Sequence, residues 1–174
     1  ILAATHAPSI PQPGESLLIT TRVAPAFSPI AGVTLRYRVM FGAVASLAMN
    51  DAGTDGDAVA GDGVWSARLP AAQATAGQLI RYAISASDAQ GHASRFPPFP
   101  SPTDSEEFHG TVVADPAITS QLPVVHVFVE NTGALDGGTP TRGALFHLGE
   151  LYDNVRFEVH GQSSSGWPKK GYNI

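Results

Sequence analysis

The segment rich in glycine, serine and lysine near the end of the chain has the residue types that hold phosphate. It follows a β-prone run at residues 154–160 and reads Gly-Gln-Ser-Ser-Ser-Gly-Trp-Pro-Lys-Lys over residues 161–170. Glycine lets a backbone approach a ligand closely, and successive amides beside a lysine offer hydrogen bonds and charge to phosphate oxygens. The spacing is not that of a Walker motif, because Trp167 and not lysine follows Gly166. The spacing alone favours the alternative of a surface turn between two strands.

The acidic loop at residues 50–63 is a second candidate site. Four aspartates are interleaved there with glycines, namely Asp51, Asp55, Asp57 and Asp62. Calcium takes about six to eight oxygen ligands, and carboxylates on a flexible loop can wrap around it. The spacing is not that of an EF-hand, since the terminal bidentate glutamate is missing. The alternative is a set of tight turns in which Asp side chains accept local amides, and both interpretations stay open.

Histidines and aromatic residues offer weaker candidates. His126, His147 and His160 lie on separate predicted strands, and neighbouring strands could bring three imidazoles to one metal. No spacing motif supports such a site, so isolated polar strand positions are favoured. Trp65 alternates with strand residues, which favours a place in the core over a role in sugar stacking.

Composition excludes several classes of function. The 174 residues are 43% hydrophobic and 14% charged, which is typical of a folded chain. A formal net charge of -5 gives no drive toward nucleic acid or anionic membranes. The absence of cysteine excludes disulfides, thiolate nucleophiles and Cys-based zinc sites. No apolar run reaches the roughly 20 residues of a membrane span, so we expect no membrane insertion.

Short strands separated by Gly- and Pro-rich turns are expected to position these residues. The predicted strands cover residues 16–23, 33–41, 45–49, 64–69, 78–88, 92–95, 108–113, 122–129 and 143–148, followed by a last strand that ends at His160. Residues 130–141 are predicted as a loop, and residues 150–153 as a turn into the last strand. The fold class is therefore expected to be mainly β, with an immunoglobulin-like or fibronectin-III-like β-sandwich over residues 1–117. Residues 118–174 form a second, smaller unit in this prediction.

The second unit resembles the opening of the CotH kinase family. The motifs that carry the resemblance are Leu-Pro-Val at residues 122–124, Gly-Glu-Leu-Tyr-Asp-Asn-Val at 149–155, and the loop at 160–172 with its Pro-Lys-Lys-Gly-Tyr ending. The resemblance implies an incomplete kinase-like α+β domain that binds ATP with magnesium. It also implies that five residues of the loop contact the nucleotide: Gly161, Ser163, Ser164, Lys169 and Lys170. The metal-binding and catalytic aspartates of the family come later in the domain, so we expect no catalytic residue in this chain.

The first unit is similar to the immunoglobulin-like domain that precedes CotH domains in secreted bacterial proteins. The shared pattern is Asp-Ala-Gly at residues 51–53, Asp57, and Gly-Asp-Gly-Val-Trp at residues 61–65. This resemblance implies an extracytoplasmic protein, secreted or held at the cell surface.

Two functions from different classes follow from the sequence. The first is a fragment of an atypical protein kinase, which in its full length would transfer phosphoryl groups from ATP to hydroxyls of a protein substrate or cell-surface partner. The second is a non-enzymatic adhesion or scaffold module whose acidic loop is stabilised by calcium. Carbohydrate binding is a third alternative that rests only on aromatic residues. The chain starts at Ile1 and stops after Tyr172-Asn173-Ile174, and we expect it to be a piece of a longer protein.

Overall fold

The computed structural model describes residues 1–25, 28–98, 101, 105–161 and 170–174. Strands account for 48% of the chain and helix for 5%. The expectation of a mainly β fold is therefore confirmed. The strands are paired in antiparallel sheets.

The first eight strands form two sheets, which we call the two-sheet unit. The first sheet contains β1 (Ala3–Ala7), β2 (Leu17–Arg22) and β5 (Val64–Leu69). The second contains β3 (Ile30–Val39), β4 (Ala45–Ala48), β6 (Leu79–Asp88), β7 (Ala93–Phe96) and β8 (His109–Val112). The strand order is β1-β2-β5 in the first sheet and β4-β3-β6-β7 in the second, where β8 pairs with the first half of β6 and β7 with its second half.

A single apolar core lies between these two sheets. Leu17 and Ile19 of β2 and Leu69 of β5 share one buried cluster with side chains of β3 and β6. The alternation in β3 puts Val33, Leu35 and Tyr37 into this core, whereas the residues between them are more exposed. Trp65 is half-buried and packs against the cluster, as the sequence predicts. Hydrophobic burial on both inner faces thus holds the two sheets together.

The remaining strands form a third sheet, which we call the C-terminal sheet. Its strands are β9 (Val125–Val129), β10 (Thr141–His147), β11 (Glu150–His160) and β12 (Gly171–Asn173), and the short helix α1 (Thr132–Asp136) connects β9 to β10. The strand order is β12-β11-β10-β9. Helix α1 lies inside the segment predicted as a loop, and the Asn131 side chain caps it by accepting the Ala134 amide at 2.8 Å.

The predicted turn at residues 150–153 is wrong. The turn lies one step earlier, at Leu148 and Gly149, which have φ values of 51° and 88°. β11 begins at Glu150, where it pairs with His147 of β10. Two consecutive residues with positive φ reverse the chain in the manner of a tight hairpin, so the acidic residues that follow are free to extend.

The C-terminal sheet packs directly on the two-sheet unit. Leu79 and Val112 share a buried cluster with four residues of the C-terminal sheet, which are Phe128, Ala144, Phe146 and Leu151. Gly110 permits the close approach, because a Cβ at that position would collide with the Ile80 carbonyl and the Leu151 side chain. The domain division at residues 117 and 118 stays a prediction.

Candidate functional site

The acidic loop brings three of its four aspartates together. One carboxylate oxygen each from Asp51, Asp57 and Asp62 lies within 4.8 Å of the others, which is close enough for one cation to contact all three. Asp55 does not belong to this group; it is exposed, with a φ of 53°. Asp57 is buried, whereas Asp62 is exposed at the loop surface.

The same carboxylates also hold the loop in shape. Asp51 accepts the amides of Gly61 at 2.8 Å, Asp62 at 3.2 Å and Gly63 at 3.1 Å. Asp57 accepts the Gly53 amide at 2.6 Å. These are the local bonds expected of turn-forming aspartates, so the loop geometry does not require an ion. A carboxylate oxygen has more than one lone pair, however, and the cluster can still hold a divalent cation.

The glycine- and serine-rich segment connects two paired strands. Glu158, Val159 and His160 of β11 pair with Asn173, Tyr172 and Gly171 of β12, so residues 161–170 span the end of an antiparallel hairpin. Gly161 opens it with a φ of 91°, a conformation that glycine adopts without strain. Of the predicted nucleotide contacts, Ser163, Ser164 and Lys169 lie outside the described residues.

Lys170 has a defined contact. Its ammonium donates a hydrogen bond to the main-chain carbonyl of Asp136, the last residue of α1. A cation at this end of a helix satisfies a carbonyl that has no intrahelical partner. The contact ties the end of the hairpin to α1 and occupies at least one of the three ammonium protons.

The three histidines of the C-terminal sheet do not converge. His126 lies opposite Phe146 in the pairing of β9 with β10, and its ring packs against Phe128 and Phe146. His147 is next to Phe146 along β10 and therefore points to the other face, where its Nδ1 lies 3.3 Å from the Val124 carbonyl oxygen. His160, the third histidine, is exposed at the end of β11, where it pairs with Gly171 of β12. Within the described ranges, the aspartate cluster is the only group of three or more histidine, aspartate or glutamate side chains close enough to share a metal.

Sequence reasoning missed a buried ion pair at the junction of the two-sheet unit and the C-terminal sheet. Asp153 Oδ1 accepts hydrogen bonds from Nε of Arg81 at 2.9 Å and from Nη2 at 2.6 Å, and both side chains are almost completely buried. Asp153 Oδ2 accepts the main-chain amides of Glu107 at 3.1 Å and Phe108 at 2.9 Å. An arginine inside an apolar strand indicates that a negatively charged partner must lie nearby. The sequence does not identify that partner, because Asp153 is 72 positions away.

No protein-family model matches the chain, and no curated protein matches it significantly. The part of the chain that the structure describes holds no helix with the length and apolar character of a membrane span.

Proposed function

We propose that the chain is part of a secreted bacterial protein of the CotH kinase type, and that residues 161–170 are its phosphate-binding hairpin. The observation that carries the proposal is the pairing of His160 with Gly171, because it makes residues 161–170 the connection between two antiparallel strands. Protein kinases cover the phosphates of ATP with a glycine-rich loop. In the full-length protein the acceptor would be a hydroxyl of a protein substrate.

The motif residues around the hairpin support the same function. The Gly-Glu-Leu-Tyr-Asp-Asn-Val motif begins at the turn residue Gly149 and continues into β11, which then leads to Gly161. Leu151 and Asp153 of this motif are buried at the junction, so the base of the hairpin strand is held firmly. A phosphate site needs such support, because a loosely held loop loses the geometry of its amide donors.

The two lysines have different roles in this proposal. Lys170 already donates to the Asp136 carbonyl and thereby anchors the hairpin. Lys169 is then the main cation for the nucleotide, and Lys170 adds the hydrogen bonds that its remaining protons allow. Magnesium would be held chiefly by acidic residues outside this chain.

Titration with Mg-ATP by isothermal calorimetry tests the proposal. Lys169→Ala/Lys170→Ala should weaken binding about tenfold or more, because charge-assisted hydrogen bonds contribute about 1.5 to 3 kcal/mol each. Arg156→Ala is the matched control for charge, since the Arg156 side chain is exposed on β11. Absence of saturable binding, or an equal loss in the control, contradicts the proposal.

The chain should bind ATP without turning it over. Phosphoryl transfer needs acids that position magnesium and the nucleophile, and the resemblance assigns none of them to these residues. ATP hydrolysis that persists through purification and is unaffected by removal of contaminants would contradict this expectation.

The aspartate cluster favours a second candidate function, a calcium-stabilised adhesion or scaffold module. Calcium at about 100 times its Kd should raise the melting temperature by about 5 to 10 °C, and a chelator should reverse the rise. Asp57→Asn should abolish the calcium response, whereas Asp55→Asn, outside the cluster, should keep it. A melting temperature that responds to neither calcium nor chelator excludes this function.

A further inference from the structure

A cleft of about 460 Å³ opens where the two-sheet unit meets the C-terminal sheet. One wall comes from β1, β6 and β8, and the other from the turn at Gly149 and the start of β11. Its volume is within the range of ligand sites, which often lie between packed units. Six side chains supply its chemistry: His6, Tyr82, Glu106, His109, Glu150 and Tyr152.

His6 and Tyr82 form a fixed pair at the base of the cleft. His6 Nε2 lies 3.2 Å from the Ser9 carbonyl oxygen, which can only accept, so Nε2 carries the proton. In the neutral ring Nδ1 then accepts the hydrogen bond of the Tyr82 hydroxyl at 2.9 Å. Burial lowers the pKa of His6, although the bond to Ser9 opposes this, so the ring is neutral near pH 7. The Tyr82 hydroxyl therefore already donates its proton to His6 and does not donate it to a ligand.

The His109 ring is held by packing against other rings, and its nitrogens remain available for a ligand. Its ring stacks on Phe96 with centroids 4.7 Å apart and lies 6.1 Å from the Tyr82 ring. Among the described residues, neither ring nitrogen has a hydrogen-bond partner. Burial, followed by the proximity of His6, lowers the pKa of His109, while Asp153 opposes the shift. The cleft therefore presents a neutral imidazole that can accept a hydrogen bond.

The remaining polar groups make the cleft acidic. Glu106 and Glu150 line it, and among its described lining residues there is no lysine or arginine. Partial burial raises the pKa of Glu106, with further contributions from Asp153 and Glu150. Glu150 accepts a hydrogen bond from the Tyr152 hydroxyl at 3.2 Å, which orients its carboxylate. Two carboxylates without a facing cation favour a positively charged ligand.

We propose that this cleft binds an ammonium or guanidinium group carried on an apolar stem, the chemistry of a lysine or arginine side chain. Glu106 and Glu150 would receive the cationic head, and His109 would accept one of its hydrogen bonds. The ring of Tyr152, which is 47% exposed, and the side chain of Ala4 would contact the stem. The residues that carry this proposal lie outside residues 161–170, and the proposal does not depend on the proposed kinase function.

Titration with small probes, followed through the ring resonances of His109 by NMR, tests the proposal. The probes are capped lysine amide, capped arginine amide and n-butylamine, and capped norleucine amide is the uncharged control of similar stem length. We expect the cationic probes to shift His109 saturably in the millimolar range, without shifting the exposed His160, and norleucine to leave both unchanged. If capped lysine binds more tightly than butylamine, the ligand of the cleft is a side chain of a protein. If the two bind equally, the ligand is a free amine.

Charge-neutral variants show whether the carboxylates carry the recognition. The double variant Glu106→Gln/Glu150→Gln should bind capped lysine about three- to tenfold more weakly, since each partly exposed ion pair contributes modestly to affinity. Both side chains are exposed, so the fold should be retained. Glu15→Gln should bind as the unmodified chain does, because the Glu15 carboxylate accepts the Gln12 amide and does not line the cleft. Equal binding by norleucine, no loss in the double variant, or no shift of His109 would each overturn the proposal.

Discussion

Arg81 is a charged residue in a strand whose flanking residues, Ile80 and Tyr82, are core side chains. Its guanidinium carbon lies 5.1 Å from the centroid of the Phe41 ring and 4.8 Å from that of Phe108. The guanidinium also donates two hydrogen bonds to Asp153. A buried guanidinium without a counter-charge would be very costly. Because Arg81 is buried, its charge needs the Asp153 carboxylate beside it for the fold to be stable.

Breaking this pair should destabilise the protein strongly. We expect Asp153→Asn or Arg81→Met to lower the free energy of unfolding by about 3 to 5 kcal/mol, because each leaves buried polar groups without their partner. Urea denaturation measures the change. Arg156→Gln provides the control, since Arg156 and Glu158 form an exposed pair and its loss should cost no more than about 1 kcal/mol. Similar losses at both pairs would contradict the importance of burial.

The half-buried histidines of the cleft, His6 and His109, should make stability depend on pH. The pKa values of His6 and His109 lie below the ordinary 6.5, chiefly because of burial. Between these values and 6.5 the unfolded chain binds more protons than the folded chain, so the free energy of unfolding falls as the pH is lowered through this window. Glu106 has a raised pKa, so it increases the free energy of unfolding as the pH is lowered. The contribution of the histidines must therefore be isolated by comparing variants.

His6→Gln isolates the contribution of one ring. Urea midpoints between pH 6.5 and about pH 5 should show a shallower decline in this variant than in the unmodified chain. His160→Gln, at an exposed position, should leave the decline unchanged. An identical pH profile in all three proteins would show that His6 does not couple proton binding to folding.

At the scale of elements, local patterns were sufficient for most strands of the two-sheet unit. β5 was predicted with its observed bounds, and the alternating run at residues 78–88 differs from β6 by one residue. Turn residues bound both segments, with Gly63 and Pro70 around β5 and Gly77 and Gly91 around β6. The first strand, Ala3–Ala7, was not predicted, because its short, small residues carry no alternating pattern.

The C-terminal sheet was harder to predict because pairing overrides local preference there. Residues 150–153 contain turn-forming acids, but pairing with β10 and the burial of Leu151 and Asp153 extend them as a strand. Helix α1 is only five residues long and has no apolar period, so nothing but its cap Asn131 could have indicated it. The aspartate cluster was predictable from spacing within one loop. The cleft and the ion pair were not, because they join residues far apart in the chain.

Gly143 shows how tightly β10 packs between its neighbours. A Cβ there would collide with the Phe128 carbonyl of β9 and approach the Phe157 ring within 2.7 Å. We expect Gly143→Ala to lower the free energy of unfolding by about 1 to 3 kcal/mol, because the strand must shift to make room. Gly32→Ala in β3 is the control, since no atom lies within 4 Å of its added Cβ; it should be neutral or slightly stabilising. Urea denaturation measures the free energy of unfolding of both variants. A loss in Gly143→Ala alone shows that steric crowding, and not the change from glycine to alanine itself, destabilises the strand.

At the scale of the whole molecule, three kinds of contact between described residues join the two-sheet unit to the C-terminal sheet. The apolar cluster around Leu79 and Phe146 excludes water from the junction, and the Arg81–Asp153 pair crosses it. Asn154 adds hydrogen bonds to the carbonyls of Ser101 at 3.1 Å and Ser105 at 2.8 Å. Removing the C-terminal sheet would expose the cluster and leave Arg81 without its counter-charge. The two parts therefore stabilise each other, although the sequence suggests a boundary between them.

This dependence predicts one cooperative unfolding transition for the whole chain. Amide exchange measured by mass spectrometry on β6 and β10 should give the same free energy of opening, because neither sheet keeps its buried face without the other. Gly110→Ala should lower both values together, since its added Cβ would separate Ile80 from Leu151 at the junction. Gly32→Ala, away from the junction, should lower neither. If β10 opened at a clearly lower free energy than β6, or if Gly110→Ala affected β10 alone, the two parts would be independent domains and the junction only a contact between them.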